Sequence, residues 1–313
     1  MRAACLYELG GSLQLETVPD PTPAEGEVLV EMAYASVNPL DVWVTQGSTG
    51  AAADHLPWIP GTEGTGYADG HPVMVNGAGI GVLRPGLYCE QTAVPRAAVT
   101  EVPEGVDLAQ LAGLGVAGVT AWASLYDRAQ LTADDRVLIL GASGGVGSLA
   151  VPLAQGTAAT VWGQTTQAEK VPVIEAAGAD HVVVVTDAGE LAAAVAQLRP
   201  TVIMDGVGGA FTAAAVEVLH TNGRIAVYGT SADQMASLNL RVLYRKNGSI
   251  LGYGGLVMAD EKRRSILAGL VAMVADGSLT VPVEVVPLAD AGRCHRRILD
   301  REVTGKLVLD TKA

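Results

Sequence analysis

The stretch Arg136-Val-Leu-Ile-Leu-Gly-Ala-Ser-Gly-Gly-Val-Gly147 decides the fold. Residues 137–140 form a short apolar run of the kind buried on both faces of a parallel sheet. Gly141, Gly144 and Gly147 then recur at three-residue spacing, and Gly147-Ser-Leu-Ala-Val-Pro-Leu-Ala154 reads as a helix. A strand that turns on glycines into a helix is a cradle for a pyrophosphate. The glycines allow a tight turn and close backbone approach, while the helix's unpaired amides and dipole attract the anion. Gly141, Ser143, Gly144, Gly145, Val146 and Gly147 are therefore the first cofactor-binding residues assigned.

Strands and helices alternate on the C-terminal side of this turn. Short apolar runs at 137–140, 159–163, 181–185, 202–205, 224–229 and 249–252 are separated by helical stretches, which predicts a doubly wound parallel sheet over 118–253. Pro152 and Pro172 fall inside two of the helical stretches and predict kinks or early ends there. Residues 1–117 differ: alternating apolar segments such as Glu27-Val-Leu-Val-Glu-Met-Ala-Tyr34 are punctuated by Pro and Gly, which reads as all-β. Residues 254–313 return to a mixed pattern, with a helix near 261–275 and a strand at 306–309. The economical architecture is a β-rich domain made from both ends of the chain, with an α/β Rossmann domain inserted between them.

Composition removes several classes of function. The 313 residues are 49% hydrophobic and 17% charged, which suits two well-packed cores rather than a disordered chain. A net charge of -13 disfavours nucleic acid and anionic membrane as partners. No apolar run is long enough to span a bilayer and the N-terminus lacks a secretory signal, so the expected location is cytoplasmic. Cys5, Cys89 and Cys294 fit neither a disulfide framework nor zinc spacing, and read as small buried hydrophobes. The five histidines, His55, His71, His181, His220 and His295, are scattered and read as surface or structural groups.

The cofactor is chosen at the end of the second nucleotide-domain strand, where a carboxylate would bond the ribose diol and repel a 2′-phosphate. Here the chain reads Val161-Trp-Gly-Gln-Thr-Thr-Gln-Ala-Glu-Lys170, with no carboxylate from Gly163 to Thr166. Gln164, Thr165 and Thr166 offer amide and hydroxyl groups and Lys170 a charge, which favours NADPH over NADH; Glu169 is the opposing signal.

Taken together, Ala35-Ser-Val-Asn-Pro-Leu-Asp41, Pro60-Gly-Thr-Glu-Gly-Thr-Gly66, Gly86-Leu-Tyr-Cys-Glu90, Gly115-Val-Ala-Gly-Val-Thr-Ala-Trp122, the glycine turn and Thr304-Gly-Lys-Leu-Val308 resemble the medium-chain dehydrogenase/reductase superfamily. The likeness is to its zinc-free quinone oxidoreductase and enoyl reductase branch, and it covers nearly the whole chain. It implies that the first and last segments form a GroES-like catalytic domain, that substrate enters a cleft beside the nucleotide domain, and that the protein is a homodimer, with edge pairing of the sixth strand one route. It also implies Asn38 and Thr120 near the nicotinamide, Asp205 to Gly208 with Val207 at the fourth strand end, Tyr228 and Gly229 after the fifth strand, Tyr253 on the nicotinamide side, and Lys306 from the late Gly-Lys. Val185 stands where many relatives place a tyrosine.

In zinc-dependent relatives three matched positions supply metal ligands; here they hold Asn38, Thr62 and Val116, so the resemblance implies no metal. Hydride transfer without a Lewis acid suits an acceptor already polarised by conjugation. The resemblance therefore implies reduction of a quinone or of the C=C bond of an α,β-unsaturated carbonyl compound, a small apolar molecule. The alternatives are a non-catalytic NADPH-binding protein and a ketone reductase. Many relatives carry tyrosines in the loop after Asn-Pro-x-Asp, where this chain has Trp43 and Thr49. Trp43 is placed against the acceptor, and Tyr67, Tyr88, Tyr253, Thr62, Thr120 and solvent are the open choices for proton donor. Trp43, Trp58, Leu56, Ile59, Leu83, Leu87 and Met258 form the candidate apolar lining.

Overall fold

In the computed structural model, which describes all 313 residues, the chain packs as two units. Residues 120–255 form one, and residues 1–119 join 256–313 in the other.

Six apolar runs of the first unit become β1 (Arg136–Leu140), β2 (Thr160–Thr165), β3 (His181–Val184), β4 (Val202–Asp205), β5 (Arg224–Val227) and β6 (Ser249–Gly252). They pair in parallel in the order β3-β2-β1-β4-β5-β6. Central strands have apolar neighbours on both sides: Leu138 lies opposite both Trp162 and Ile203, and Ile203 opposite Ile225. One face closes over Leu191, Val195, Phe211 and Val216. The strand order reverses between β1 and β4, and in such sheets ligands bind beyond the carboxyl ends at that point.

The two prolines behave differently. Pro152 lies inside the helix Gly147–Gln155. Pro172 does not interrupt a helix but opens one, Val171–Ala176, in its first turn, where a missing amide costs nothing.

In the other unit Lys306–Asp310 pairs with Glu27–Val37 antiparallel, Leu307 opposite Val37 and Leu309 opposite Ala35, so the two ends of the chain share one sheet. Glu63–Ala68, His71–Asn76 and Val99–Glu101 continue it on one side and Val283–Pro287 on the other, with Gln91–Pro95 also against Glu27–Val37. The hairpin between Glu63–Ala68 and His71–Asn76 is cut to a two-residue turn, Asp69 (φ 51) and Gly70 (φ 81), the conformation that Asp-Gly favours.

An all-β reading of the first third misses three short helices: Pro39–Thr45, Ala51–Asp54 and Leu108–Ala112. Pro39 sits at the helix start, and Asp41 reaches back to the amide of Asn38 at 2.8 Å. Asp107 caps the third helix through the amide of Ala109 at 2.9 Å.

Candidate functional site

The glycine turn leaves β1 through Gly141 (φ +68), a backbone state that disfavours any side chain. A Cβ on Gly147 would lie 2.4 Å from the carbonyl oxygen of Gly141 and 2.7 Å from Cα of Ala142, so turn and helix touch backbone to backbone. Within the turn the amide of Gly144 is used by Gly141. The amides of Ser143, Gly145, Val146 and Gly147 have no acceptor within the protein. Four unpaired donors at the start of a helix are what a pyrophosphate requires, so the residues present fit a dinucleotide.

The loops after β4 and β5 reach the same edge. Val207 borders Gly141, its Cγ2 lying 3.6 Å from a Cβ built on that glycine. The ring of Tyr228 packs against Gly206, where a Cβ would be 2.5 Å from the ring, and Gly229 abuts the Gly206 carbonyl. Burial, with Asp205 close by, pushes the Tyr228 hydroxyl well up. Tyr253 is half-buried after β6, its amide bonded to Val227 at 2.9 Å.

Three residues expected to touch the cofactor are committed elsewhere. Asp205 is buried and its carboxylate accepts from the amides of Val207 (2.8 Å) and Gly208 (3.0 Å) and from the Thr212 hydroxyl, which ties the loop after β4 to the helix Gly209–Val218. Gln164 is turned inward with both ends of its amide bonded. The Thr165 hydroxyl accepts from the amide of Gln167 at 3.2 Å. Thr166 is exposed, and Lys170 is buried at the end of the turn Ala168–Lys170, where burial lowers its pKa against the raising effect of Glu169.

The other unit holds a buried polar cluster around Glu63, a residue that sequence reasoning missed. Glu63 is 0% exposed and Lys306 3%. The Lys306 ammonium donates to the Asn38 side-chain carbonyl and to Glu63 Oε1 (3.1 Å), and the Asn38 amide donates to the same Oε1 at 2.9 Å. Glu63 Oε2 accepts from the amide of Val116 at 2.7 Å. Because Asp41 caps the helix Pro39–Thr45, the Asn38 side chain is available for this network. One signal was legible: Glu63 is the only charge in Pro60-Gly-Thr-Glu-Gly-Thr-Gly66.

Asp41 is buried beside this cluster and also accepts from the Tyr88 hydroxyl at 3.1 Å. Burial pushes its carboxyl up to about 6, opposed by the Asn38 amide and the hydroxyls of Thr62 and Tyr88 and reinforced by Glu63. The Thr62 hydroxyl lies beside it, yet no hydrogen bond of ordinary geometry reaches Oδ1. A raised carboxyl pKa stabilises the folded state fully below the ordinary carboxylate range, and that contribution is lost as pH rises through about 6. Asp41→Asn removes the charge and supplies an N–H toward Thr62. The variant is expected to gain about 1–3 kcal/mol over the parent at pH 8 and nothing at pH 4. Thermal melts across that range check this; parallel curves for the two proteins would contradict it.

The apolar lining separates into two groups. Trp58 and Leu87 are core residues with no exposure, whereas Trp43 (40%), Leu56 (37%) and Leu83 (69%) face outward. Among the open choices for proton donor, Tyr88 is wholly buried and spent on Asp41, and Thr62 is buried; Tyr67 is exposed. The three cysteines are buried and unpaired, with burial raising each thiol.

The residues do not fit zinc. The three matched positions offer an amide already bonded to Lys306 and Glu63, a hydroxyl and a valine, and no group of three His, Cys, Asp or Glu converges anywhere in the chain. No helix is long and apolar enough to cross a membrane.

Comparison with known proteins agrees with this architecture. A family described as "Alcohol dehydrogenase GroES-like domain" matches residues 24–104, and one described as "Zinc-binding dehydrogenase" matches 177–309. The chain is 29% identical to a mycocerosic acid synthase-like polyketide synthase of Mycobacterium tuberculosis over 92% of its own length, but spans only 14% of that protein. It is 28% identical to prostaglandin reductase-3 of Bos taurus, covering 93% of this chain and 83% of the relative. Among solved structures, an NAD-dependent alcohol dehydrogenase superimposes with a TM-score of 0.87 at 26% identity, over 99% of both chains. The quinone oxidoreductase of Thermus thermophilus, solved also with NADPH, gives 0.83 at 28% identity, over 99% of this chain and 100% of that one.

Proposed function

Because the chain belongs to the medium-chain dehydrogenase/reductase superfamily, in its zinc-free quinone oxidoreductase and enoyl reductase branch, we propose that it is an NADPH-dependent, zinc-independent reductase of a quinone or of the C=C bond of an α,β-unsaturated carbonyl compound. The observation that carries this reading is the set of unpaired amides at Ser143, Gly145, Val146 and Gly147, beside the end of β2, which has no carboxylate from Gly163 to Thr166. When bound, a reduced nicotinamide supplies hydride to an acceptor carbon.

The chain's own residues bind, orient and exclude water. The turn amides take the pyrophosphate; Val207, Tyr228 and Gly229 flank it; Thr166 and Lys170 take the 2′-phosphate. Asn38, Thr120, Tyr253 and Lys306 are assigned to the nicotinamide end and Trp43 to the acceptor. A conjugated acceptor suits a donor set that cannot hold a Lewis-acid metal, because its carbonyl already polarises the carbon that receives hydride. Lys170→Ala is expected to weaken NADPH about tenfold and leave NADH unchanged, since it removes one charge-assisted contact. Fluorescence titration with both dinucleotides checks this, and an unchanged preference would count against it.

The unpaired thiols support a reducing, cytosolic setting within the same reading. The free edge of β6, bonded only to β5, supports a homodimer, for which sedimentation should give twice 32.0 kDa.

The deciding experiment is an acceptor screen with quinones and enones, following NADPH absorbance with and without a chelator. Chelator-insensitive turnover supports the reading. Tight NADPH binding with no turnover on any acceptor would favour a non-catalytic binding protein, the alternative motivated by Trp43 and Thr49 in place of hydroxyl-bearing rings.

A further inference from the structure

We infer that Gln164 is a positioning residue that holds the phosphate turn in shape for any nicotinamide dinucleotide, and does not read the 2′-phosphate. The inference rests on the dinucleotide reading of the turn. Gln164 lies near the end of β2 and is 1% exposed. Its side-chain carbonyl accepts from the amide of Gly141 at 3.0 Å, and its side-chain amide donates to the carbonyl of Val185 at 2.7 Å. Its backbone carbonyl accepts from the amide of Ala142 at 2.9 Å.

One residue thus fixes the first two residues of the turn and ties them, across β2, to the exit of β3. The Gly141 amide has no backbone acceptor and needs one from a side chain. The Gln164 side chain is that acceptor. Val185 carries no side-chain hydroxyl, and its backbone carbonyl anchors the far end of the amide. With both polar ends so occupied, the side chain has little capacity left for a ligand. The neighbouring face is equally constrained: a Cβ on Gly163 would lie 2.6 Å from Ile174 and 3.0 Å from Ala142.

The test compares Gln164→Met and Gln164→Glu with the parent, titrating NADPH and NADH by tryptophan fluorescence. Methionine keeps the shape and leaves the Gly141 amide without an acceptor. Glutamate keeps an acceptor for Gly141 and loses the donor to Val185. Both dinucleotides should weaken by the same factor, about tenfold for methionine and more for glutamate, whose buried carboxylate meets the Val185 carbonyl and repels the pyrophosphate. Hydrogen exchange on the parent protein needs no variant: the Gly141 amide should exchange slowly without ligand, and those of Gly145 and Val146 quickly, becoming protected only on adding NADPH. A loss confined to NADPH, no loss for either dinucleotide, or fast exchange at Gly141 would overturn the inference while the dinucleotide reading stands. A parent protein that binds neither dinucleotide would overturn that reading and this inference with it.

Discussion

Gly147→Val should abolish dinucleotide binding, weakening NADPH by about 100-fold or more, while the protein remains folded. The atoms that an added Cβ would meet are the Gly141 carbonyl oxygen at 2.4 Å and the Ala142 Cα and carbonyl carbon at 2.7 and 2.9 Å, all backbone. Backbone cannot rotate aside as a flexible side chain can, so the turn itself must open. Opening carries the four unpaired amides away from a common anion, and strain of about 1–3 kcal/mol alone corresponds to a loss of about fivefold to 150-fold. Gly156→Ala is the control: its backbone is helical, and an added Cβ meets nothing closer than Leu153 at 3.6 Å. Isothermal titration with NADPH separates them. Equal affinities for parent and Gly147→Val would place the cofactor somewhere other than this turn.

The second large effect is expected at Lys306. Removing its ammonium in Lys306→Met leaves Glu63 buried without its cation, beside a second buried carboxylate, Asp41. A broken buried ion pair costs about 3–5 kcal/mol, which lowers the melting temperature by roughly ten degrees. Adding Glu63→Gln should recover part of that loss, because the pair then disappears together with its charge. The double variant more stable than Lys306→Met is therefore the expected ordering in a double-mutant cycle. An unshifted melting curve for Lys306→Met would show that the pair carries no net interaction in the folded protein.

The contrast between these two sites shows what a sequence displays. The strands of the parallel sheet were legible because each is a compact, mostly apolar run bounded by polar turns, the central ones buried on both faces, as in Val202-Ile-Met-Asp205. The glycine turn was legible because every residue of it is consecutive. The short helices Pro39–Thr45 and Leu108–Ala112 were not, since five to seven residues are too few to display a helical period. The Glu63 cluster was hidden for another reason: Lys306 and Glu63 are 243 residues apart, and only the pairing of Lys306–Asp310 with Glu27–Val37 brings the two segments into one sheet. Gln164 was identified as polar and well placed, but its inward direction follows from the Gly141 amide and the Val185 carbonyl, which come within reach of it only in the folded sheet. Asp205 fell to the same difficulty, since a carboxylate at a strand end reads alike whether it faces a ligand or accepts from the amides of its own loop.

The central claim is that this chain transfers hydride from a bound nicotinamide to a conjugated acceptor through a site assembled without zinc. A single-turnover reaction with NADPH deuterated at the transferable C4 position, chelator present and a conjugated enone as acceptor, tests it most directly by mass spectrometry of the product. The account predicts one deuterium at the carbon β to the carbonyl. Product without deuterium, or bound NADPH that stays reduced with every quinone and enone offered, would contradict it.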